Sequence, residues 1–193
     1  MATIETKTTE SIKSNGYLLL SISKERIWEE FCKSWKQSKD FNTYLNYLKD
    51  FEIYEYVFPN SNVNTDLISS KDFIVVLANL FQGEDTSKLE RKMVQDWKIE
   101  TDVARPAIFL IDFLKLTPEN APDLFKQKMR CHIKDETILE WIKVKNLKDP
   151  IFDAFLKYKP SVSAEELMAR GLKGKELGDT IKQMEIENFK KLI

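Results

Sequence analysis

The sequence has few residues that interrupt helices and few cysteines or histidines. Its 193 residues include five glycines, six prolines, two cysteines and one histidine. Scarce glycine and proline favour helices joined by short loops. Cys32 and Cys131 lie far apart and fit no metal-binding spacing, so we expect free thiols that are buried or partly buried. His132 has no second histidine near it, which favours an exposed position or a helix end over a catalytic role.

The sequence also lacks an excess of either charge and a long hydrophobic run. There are 30 lysines and arginines against 31 aspartates and glutamates, so a nucleic-acid surface would have to come from a local cluster of cations. The longest apolar run, residues 107–111, is far too short to cross a bilayer. The first 15 residues have no apolar signal core. We therefore expect a cytoplasmic protein with no membrane partner.

No pattern typical of an active site is present. The sequence has no Gly-x-Gly-x-x-Gly, no P-loop and no Gly-x-Ser-x-Gly nucleophile motif. It has no Asp-x-Asp pair either, whereas metal-assisted nucleotidyl transfer needs clustered carboxylates. Acidic pairs such as those at 29–30 and 165–166 are typical of solvated helix faces and caps. The residues alone therefore predict no catalytic side chain, no metal site and no bound cofactor.

Apolar residues recur at helical spacing along most of the chain and predict an all-α, multi-helix bundle with a C-terminal helical tail. We expect helices over residues 40–51, 101–116, 120–131, 133–144, 150–158 and 175–192. Caps or capping boxes are predicted at Ser23, at Ser69 with Asp72, at Asp85, and at Ser163 with Glu166. Pro106 is expected in the first turn of its helix or at a kink, and Gly171 is expected to end the helix before the tail.

Three motifs follow one another along the chain. Residues 23–31 read Ser-Lys-Glu-Arg-Ile-Trp-Glu-Glu-Phe. A Tyr-Leu-Asn-Tyr-Leu-Lys-Asp-Phe helix at 44–51 then leads to a Tyr-Val-Phe-Pro ending at 56–59. Residues 165–178 end in the glycine-rich string Gly-Leu-Lys-Gly-Lys-Glu-Leu-Gly. In this order the motifs resemble class II tRNA nucleotidyltransferases, the CCA-adding enzymes and their bacterial poly(A) polymerase relatives, over nearly the whole chain.

The resemblance implies the RNA-holding part of such an enzyme without its catalytic head. The family's head carries Gly-Ser and Asp-x-Asp motifs that this sequence lacks, and the string at 84–88 lacks the arginine of the family's nucleotide-selecting element. The implied segments are partial neck helices at 1–37, a helical body at 38–160 and a tail with a glycine-rich turn at 161–193. CTP, ATP and magnesium would belong to the head, so we expect no cofactor in this chain.

Several alternatives stay open at this point. The chain could be a fragment of a longer enzyme, a separate subunit that works with a catalytic head, or a decayed copy that binds RNA without extending it. Whether the related activity is CCA addition or poly(A) addition is equally open. A hypothesis of a different class is a helical protein–protein interaction module, such as a homodimer, that does not bind RNA. An exposed apolar patch away from lysines would favour that hypothesis.

The resemblance further implies that the chain clamps the acceptor and T-arm of tRNA. Clamping requires Lys and Arg that neutralise phosphates and read shape rather than sequence. Residues 124–148 hold seven basic against three acidic side chains, and residues 168–193 hold six against four. The turn at 170–175 adds a helix N-terminus, which favours an anion. The RNA-binding candidates are Lys126, Lys128, Arg130, Arg170, Lys173, Lys175 and Lys182.

Other conspicuous residues are expected to be structural. The four tryptophans fall on apolar helical stripes, so we expect them to pack in the core rather than to stack on bases; they are Trp28, Trp35, Trp97 and Trp141. Arg26 lies on a helix rich in core residues. We expect it to form an ion pair that ties helices together rather than to contact RNA.

Overall fold

Twelve α-helices and no strand make up the regular structure of residues 4–193, the part of the chain that the computed structural model describes. The all-α prediction is thereby confirmed. The chain divides into two units with a boundary between Ile111 and Asp112. The functional segments 1–37, 38–160 and 161–193 stay a prediction. Among residues 4–193, no helix has the length and apolar content needed to cross a bilayer.

The first unit is built from short helices, four of which begin at a polar side-chain cap. They are α1 (Thr6–Asn15), a 3-10 segment (Gly16–Ser21), α2 (Lys24–Gln37), α3 (Phe41–Asp50), α4 (Tyr54–Val57), α5 (Phe73–Phe81), α6 (Thr86–Arg91), a π-helical turn (Lys92–Asp96) and α7 (Thr101–Phe113), whose last residues enter the second unit. The Ser23 hydroxyl accepts from the Arg26 N–H at 3.3 Å, and the Asp85 carboxylate accepts from the Ser87 N–H at 3.1 Å. Both predicted caps are confirmed.

One local prediction in this unit was wrong. Asp72, not Ser69, is the N-cap of α5: its carboxylate accepts from the Ile74 N–H at 2.9 Å. An aspartate caps as readily as a serine, and the buried run begins only after it, so the capping box was placed one turn too early. Pro106 is the sixth residue of α7 and lies beyond its first turn, so the alternative expectation, a kink at this residue, stays a prediction. No N–H of this proline can therefore donate to the Asp102 carbonyl.

An aromatic cluster forms the core of the first unit. Phe31 is 1% exposed and lies 5.3 Å, centroid to centroid, from both Phe41 and Phe58. Trp28 stacks on Phe31 at 5.7 Å. Of the four tryptophans, Trp28, Trp97 and Trp141 are buried and Trp35 is half-buried. The core prediction for the tryptophans is confirmed.

The second unit contains α8 (Ala121–Cys131), α9 (Asp135–Val144), α10 (Pro150–Lys157), α11 (Ala164–Ala169) and α12 (Gly174–Lys190). Its core includes Phe113, whose ring centroid lies 5.1 Å from that of Phe155. His132 is exposed directly after α8, with φ +52°, as its prediction required. Cys32 in the first unit is partly buried and Cys131 is buried, and both are free thiols, which confirms that prediction.

A buried carboxylate fastens α12 to the connection between α10 and α11. Glu185 is 3% exposed and accepts from the Tyr158 hydroxyl at 2.7 Å, the Ser161 N–H at 2.8 Å and the Val162 N–H at 2.7 Å. Burial and the bond to this carboxylate raise the pKa of Tyr158. Since all three donors lie in or beside the connection, Glu185 holds that connection on the side of α12.

The glycine-rich turn begins with a Schellman motif. Gly171 has φ +92°, its N–H donates to the Met168 carbonyl at 2.9 Å, and the Leu172 N–H donates to the Leu167 carbonyl at 3.2 Å. These are the two bonds of that motif, and the left-handed conformation between them suits glycine. The predicted role of Gly171 is confirmed. The Ser163 hydroxyl caps the preceding helix by accepting from the Glu166 N–H at 3.3 Å.

Candidate nucleic-acid interface

Helices α8 and α12 pack against each other in opposite directions. Lys182 Nζ lies 2.7 Å from Asp123 Oδ2, and Lys190 Nζ lies 2.8 Å from Glu119 Oε1, just before α8. The later residue of α12, Lys190, thus pairs with the earlier residue, Glu119, which shows that the two helices are antiparallel. The C-terminal end of α8 and the N-terminal end of α12 therefore lie on the same side of the second unit.

Three of the seven predicted RNA-binding cations are already held by carboxylates. The two oxygens of Asp123 pair with Lys182 at 2.7 Å and with Lys126 at 3.4 Å. The hydrogen bond from Lys182 holds the pKa of Asp123 below its usual range. Lys128 lies 2.5 Å from Asp135 Oδ1, and its side chain is only 12% exposed. Lys128 and Lys182 join α8 to α9 and α12, whereas Lys126 pairs within α8. All three would have to share or leave a carboxylate to contact phosphate.

The other four predicted cations, Arg130, Arg170, Lys173 and Lys175, are exposed. No carboxylate among residues 4–193 lies within ion-pair distance of any of them. Three surround the turn that begins α12, and Arg130 lies at the adjoining end of α8. We call these four residues the basic end. Their charges are available to an anion, as are the N–H groups of α12, which has no side-chain cap.

Acidic residues near the basic end limit its attraction for anions. Glu176 occupies the first turn of α12, where a carboxylate opposes a bound anion by offsetting the helix dipole. Four free cations still outnumber this carboxylate and Asp179, which lies one turn further on. Among residues 4–193, no group of three or more His, Cys, Asp or Glu side chains is placed to hold a metal ion.

The first unit offers exposed cations that sequence reasoning missed. Within the first 63 residues, five lysines or arginines are exposed and have no carboxylate within ion-pair distance among the described residues: Lys7, Arg26, Lys36, Lys39 and Lys49. The ion pair expected for Arg26 is absent from the described structure, so that prediction was wrong. Its position on α2 is roughly opposite Trp28 and Phe31, which face the core.

Counting charges could not have found these cations. Residues 3–63 contain eight basic and nine acidic side chains, so the segment shows no local basic excess. Which cations remain free depends on pairing in the fold, as when Lys13 meets Glu52 at 2.6 Å. Helical spacing was the available signal, because it places Arg26 on the face of α2 away from Trp28 and Phe31.

Comparison with known families gives a match in the first unit. Residues 3–63 match the family model described as the probable RNA and SrmB-binding site of polymerase A. The match supports the poly(A) polymerase and CCA-adding family that the motifs resemble, and it supports RNA as a partner. It covers about a third of the chain and includes none of the seven cations predicted from the sequence.

A second similarity is to human sulfhydryl oxidase 2, at 32% identity over 105 residues. The alignment covers 54% of this chain but only 13% of the human protein. Cys32 lies in the first unit and Cys131 in the second. Burial also raises the pKa of Cys32 to about 11, so its reactive thiolate is scarce. No solved structure matches the chain.

Proposed function

We propose that this chain is an RNA-binding component of the poly(A) polymerase and CCA-adding family. It would hold the acceptor and T-arm of tRNA while a separate catalytic head, with its CTP, ATP and magnesium, adds nucleotides to the 3′ end. The observation that carries the proposal is the match of residues 3–63 to the RNA-binding region of polymerase A. The order of the three motifs along the chain supports the tRNA part of it.

The exposed cations supply the physical basis for holding RNA. Each phosphate contact releases a condensed counterion, so affinity falls with salt by about 0.7–0.9 logarithmic units per contact and decade of salt. If the basic end contributes four contacts, it alone accounts for a slope of about −3 to −4. Free cations in the first unit, such as Lys36 and Lys39, would add to that slope.

A titration that compares two RNAs tests the proposal. The whole chain is mixed with fluorescently labelled tRNA and with an unstructured RNA of equal length, and anisotropy is followed at low and moderate salt. We expect tighter binding to tRNA and a steep loss of affinity with salt. No binding to either RNA at low salt would refute RNA binding. Equal affinity for the two would refute the assignment of tRNA and leave RNA binding intact.

Variants then locate the surface. The variant Lys36→Ala with Lys39→Ala removes two free cations from the matched region. A control with the same loss of charge, Lys71→Ala with Arg91→Ala, removes exposed cations of the first unit that lie outside that region. We expect the first variant to weaken tRNA binding by about tenfold, or about 1.4 kcal/mol, and the control to have a smaller effect. Equal effects would mean that the matched region makes no special contact.

A second candidate function is a protein–protein interaction module. Tyr17, Leu18 and Leu20 are each more than half exposed, which is unusual for neighbouring large apolar residues in one short segment. The description of the matched family region also names a protein, SrmB, beside RNA. Both observations favour a protein-binding surface in the first unit in addition to RNA contacts.

A further inference from the structure

The 3-10 segment between α1 and α2 presents a group of apolar side chains to solvent. Tyr17, Leu18, Leu20 and Ile22 are 55%, 52%, 58% and 39% exposed, and we call them the apolar strip. Gly16, which precedes them, is buried, and a Cβ on it would lie 2.9 Å from the Tyr56 ring. This close approach fixes the segment against α4, so the side chains that follow are held at the surface.

The surroundings of the strip fit an apolar protein surface better than a phosphate backbone. The nearest lysines in sequence are both engaged: Lys13 pairs with Glu52 at 2.6 Å, and the half-buried Lys24 donates to the Tyr56 carbonyl at 3.1 Å. Burial also lowers the pKa of Lys24. The neighbouring helix α1 has no buried residue, so it too is free to pack against a partner.

In the sequence, the strip lies between exposed residues of opposite charge. Before it, on α1, Glu10 is exposed and has no cation within ion-pair distance among the described residues; after it, at the start of α2, Arg26 is exposed and equally unpaired. Lys7 before the strip and Glu25 after it form a second pair of opposite charges, with the signs reversed. Glu25 also lies 4.0 Å from Lys98. In an interface whose twofold axis is perpendicular to the strip, each end of one copy meets the other end of its partner, so opposite charges would meet twice.

We propose that the apolar strip is a self-association surface through which two copies of this chain pack about a twofold axis, with Glu10 of each copy beside Arg26 of the other. If the two strips ran in the same direction, Glu10 would face Glu10 and Arg26 would face Arg26. Repulsion between like charges disfavours that arrangement. The apolar strip itself contributes no free cation, but Arg26 and Lys7 beside it belong to the free cations of the matched region, so association is measured without RNA.

Analytical ultracentrifugation of the whole chain without RNA tests the proposal over a wide range of concentration. We expect a concentration-dependent species of twice the 22.7 kDa chain mass. Leu18→Asp should weaken association by at least about tenfold, because it would bury an unpaired carboxylate in an apolar interface. The matched control is Leu139→Asp on α9, since Leu139 is 50% exposed and lies outside the strip; it should leave association unchanged.

Charge reversal tests the register of the two copies. Arg26→Glu should weaken association, and combining it with Glu10→Arg should restore it, while thermal melts show that each variant stays folded. A 22.7 kDa monomer at every concentration would overturn the proposal. The strip would then be a candidate surface for a different protein. Equal effects of Leu18→Asp and Leu139→Asp would also overturn it, as would a failure of the double reversal to restore association.

Discussion

Removing the Glu185 carboxylate should destabilise the second unit about as much as a large-to-small substitution in its core. In Glu185→Ala, three donors lose their acceptor: the Tyr158 hydroxyl and the N–H groups of Ser161 and Val162, at 2.7–2.8 Å. These groups are buried or part-buried, so water cannot fully replace the carboxylate. The perturbation therefore leaves unsatisfied donors rather than merely deleting favourable contacts.

The expected magnitude follows from those three bonds. A hydrogen bond to a charged group contributes about 1.5–3 kcal/mol, less where water can reach the freed donor. We expect Glu185→Ala to lower the free energy of unfolding by about 3–5 kcal/mol, a large fraction of the roughly 5–15 kcal/mol that stabilises a typical domain. Glu185→Gln keeps one acceptor oxygen and should cost about 1–2 kcal/mol.

Urea denaturation followed by far-UV circular dichroism measures these effects. With an m-value of about 2 kcal/mol/M, a loss of about 4 kcal/mol lowers the midpoint by about 2 M. Glu187→Ala is the matched control, because Glu187 is exposed on the same helix. If Glu185→Ala and Glu187→Ala unfold within about 0.5 kcal/mol of each other, the carboxylate does not anchor the connection between α10 and α11.

Three further predictions concern single residues. Gly171→Ala should lower the free energy of unfolding by about 1 kcal/mol because of its φ of +92°, whereas Gly178→Ala, inside α12 with open space around it, should raise it by about 0.5–1 kcal/mol; urea melts distinguish the signs. Asp123→Asn should cost less than about 1 kcal/mol at neutral pH. Because Lys182 depresses the folded pKa of Asp123, this stability is present above the ordinary pKa of 3.8 and is lost as pH falls through the depressed value, so melts of variant and wild type should converge there. Cys32, with a pKa of about 11, should react with iodoacetamide at pH 8 far more slowly in the native chain than in urea, as mass spectrometry would show.

Local signals in the sequence were enough to predict most helix ends. Ser23, Asp85 and Ser163 cap helices because a short polar side chain can reach the first free N–H groups whatever the rest of the fold does. Gly171 ends α11 for a similarly local reason. The misplaced cap at Ser69 shows the limit, since several polar residues preceded the apolar run and their order alone did not decide which one starts the helix.

The candidate interface depended on contacts that no local pattern contains. Lys182 pairs with Asp123, 59 positions away. A lysine that was predicted to contact RNA therefore forms an ion pair between two helices. The prediction for Arg26 was wrong in the opposite sense, because an ion pair was expected and this residue has none among the described residues. The apolar residues at 17–22 have the composition of a core segment, yet the close packing of Gly16 on Tyr56 holds them at the surface.

The salt dependence of tRNA binding tests the central claim most directly. The comparison uses the wild-type chain, the basic-end variant Arg170→Ala with Lys173→Ala and Lys175→Ala, and a control that removes Lys71, Lys88 and Arg91. Three lost phosphate contacts should make the slope of log K against log salt shallower by about 2–3 and weaken binding at low salt by roughly 100-fold, or about 3 kcal/mol. The control should change the slope by less than about 1. A wild-type chain without salt-dependent binding, or a basic-end variant with the wild-type slope, would contradict the account.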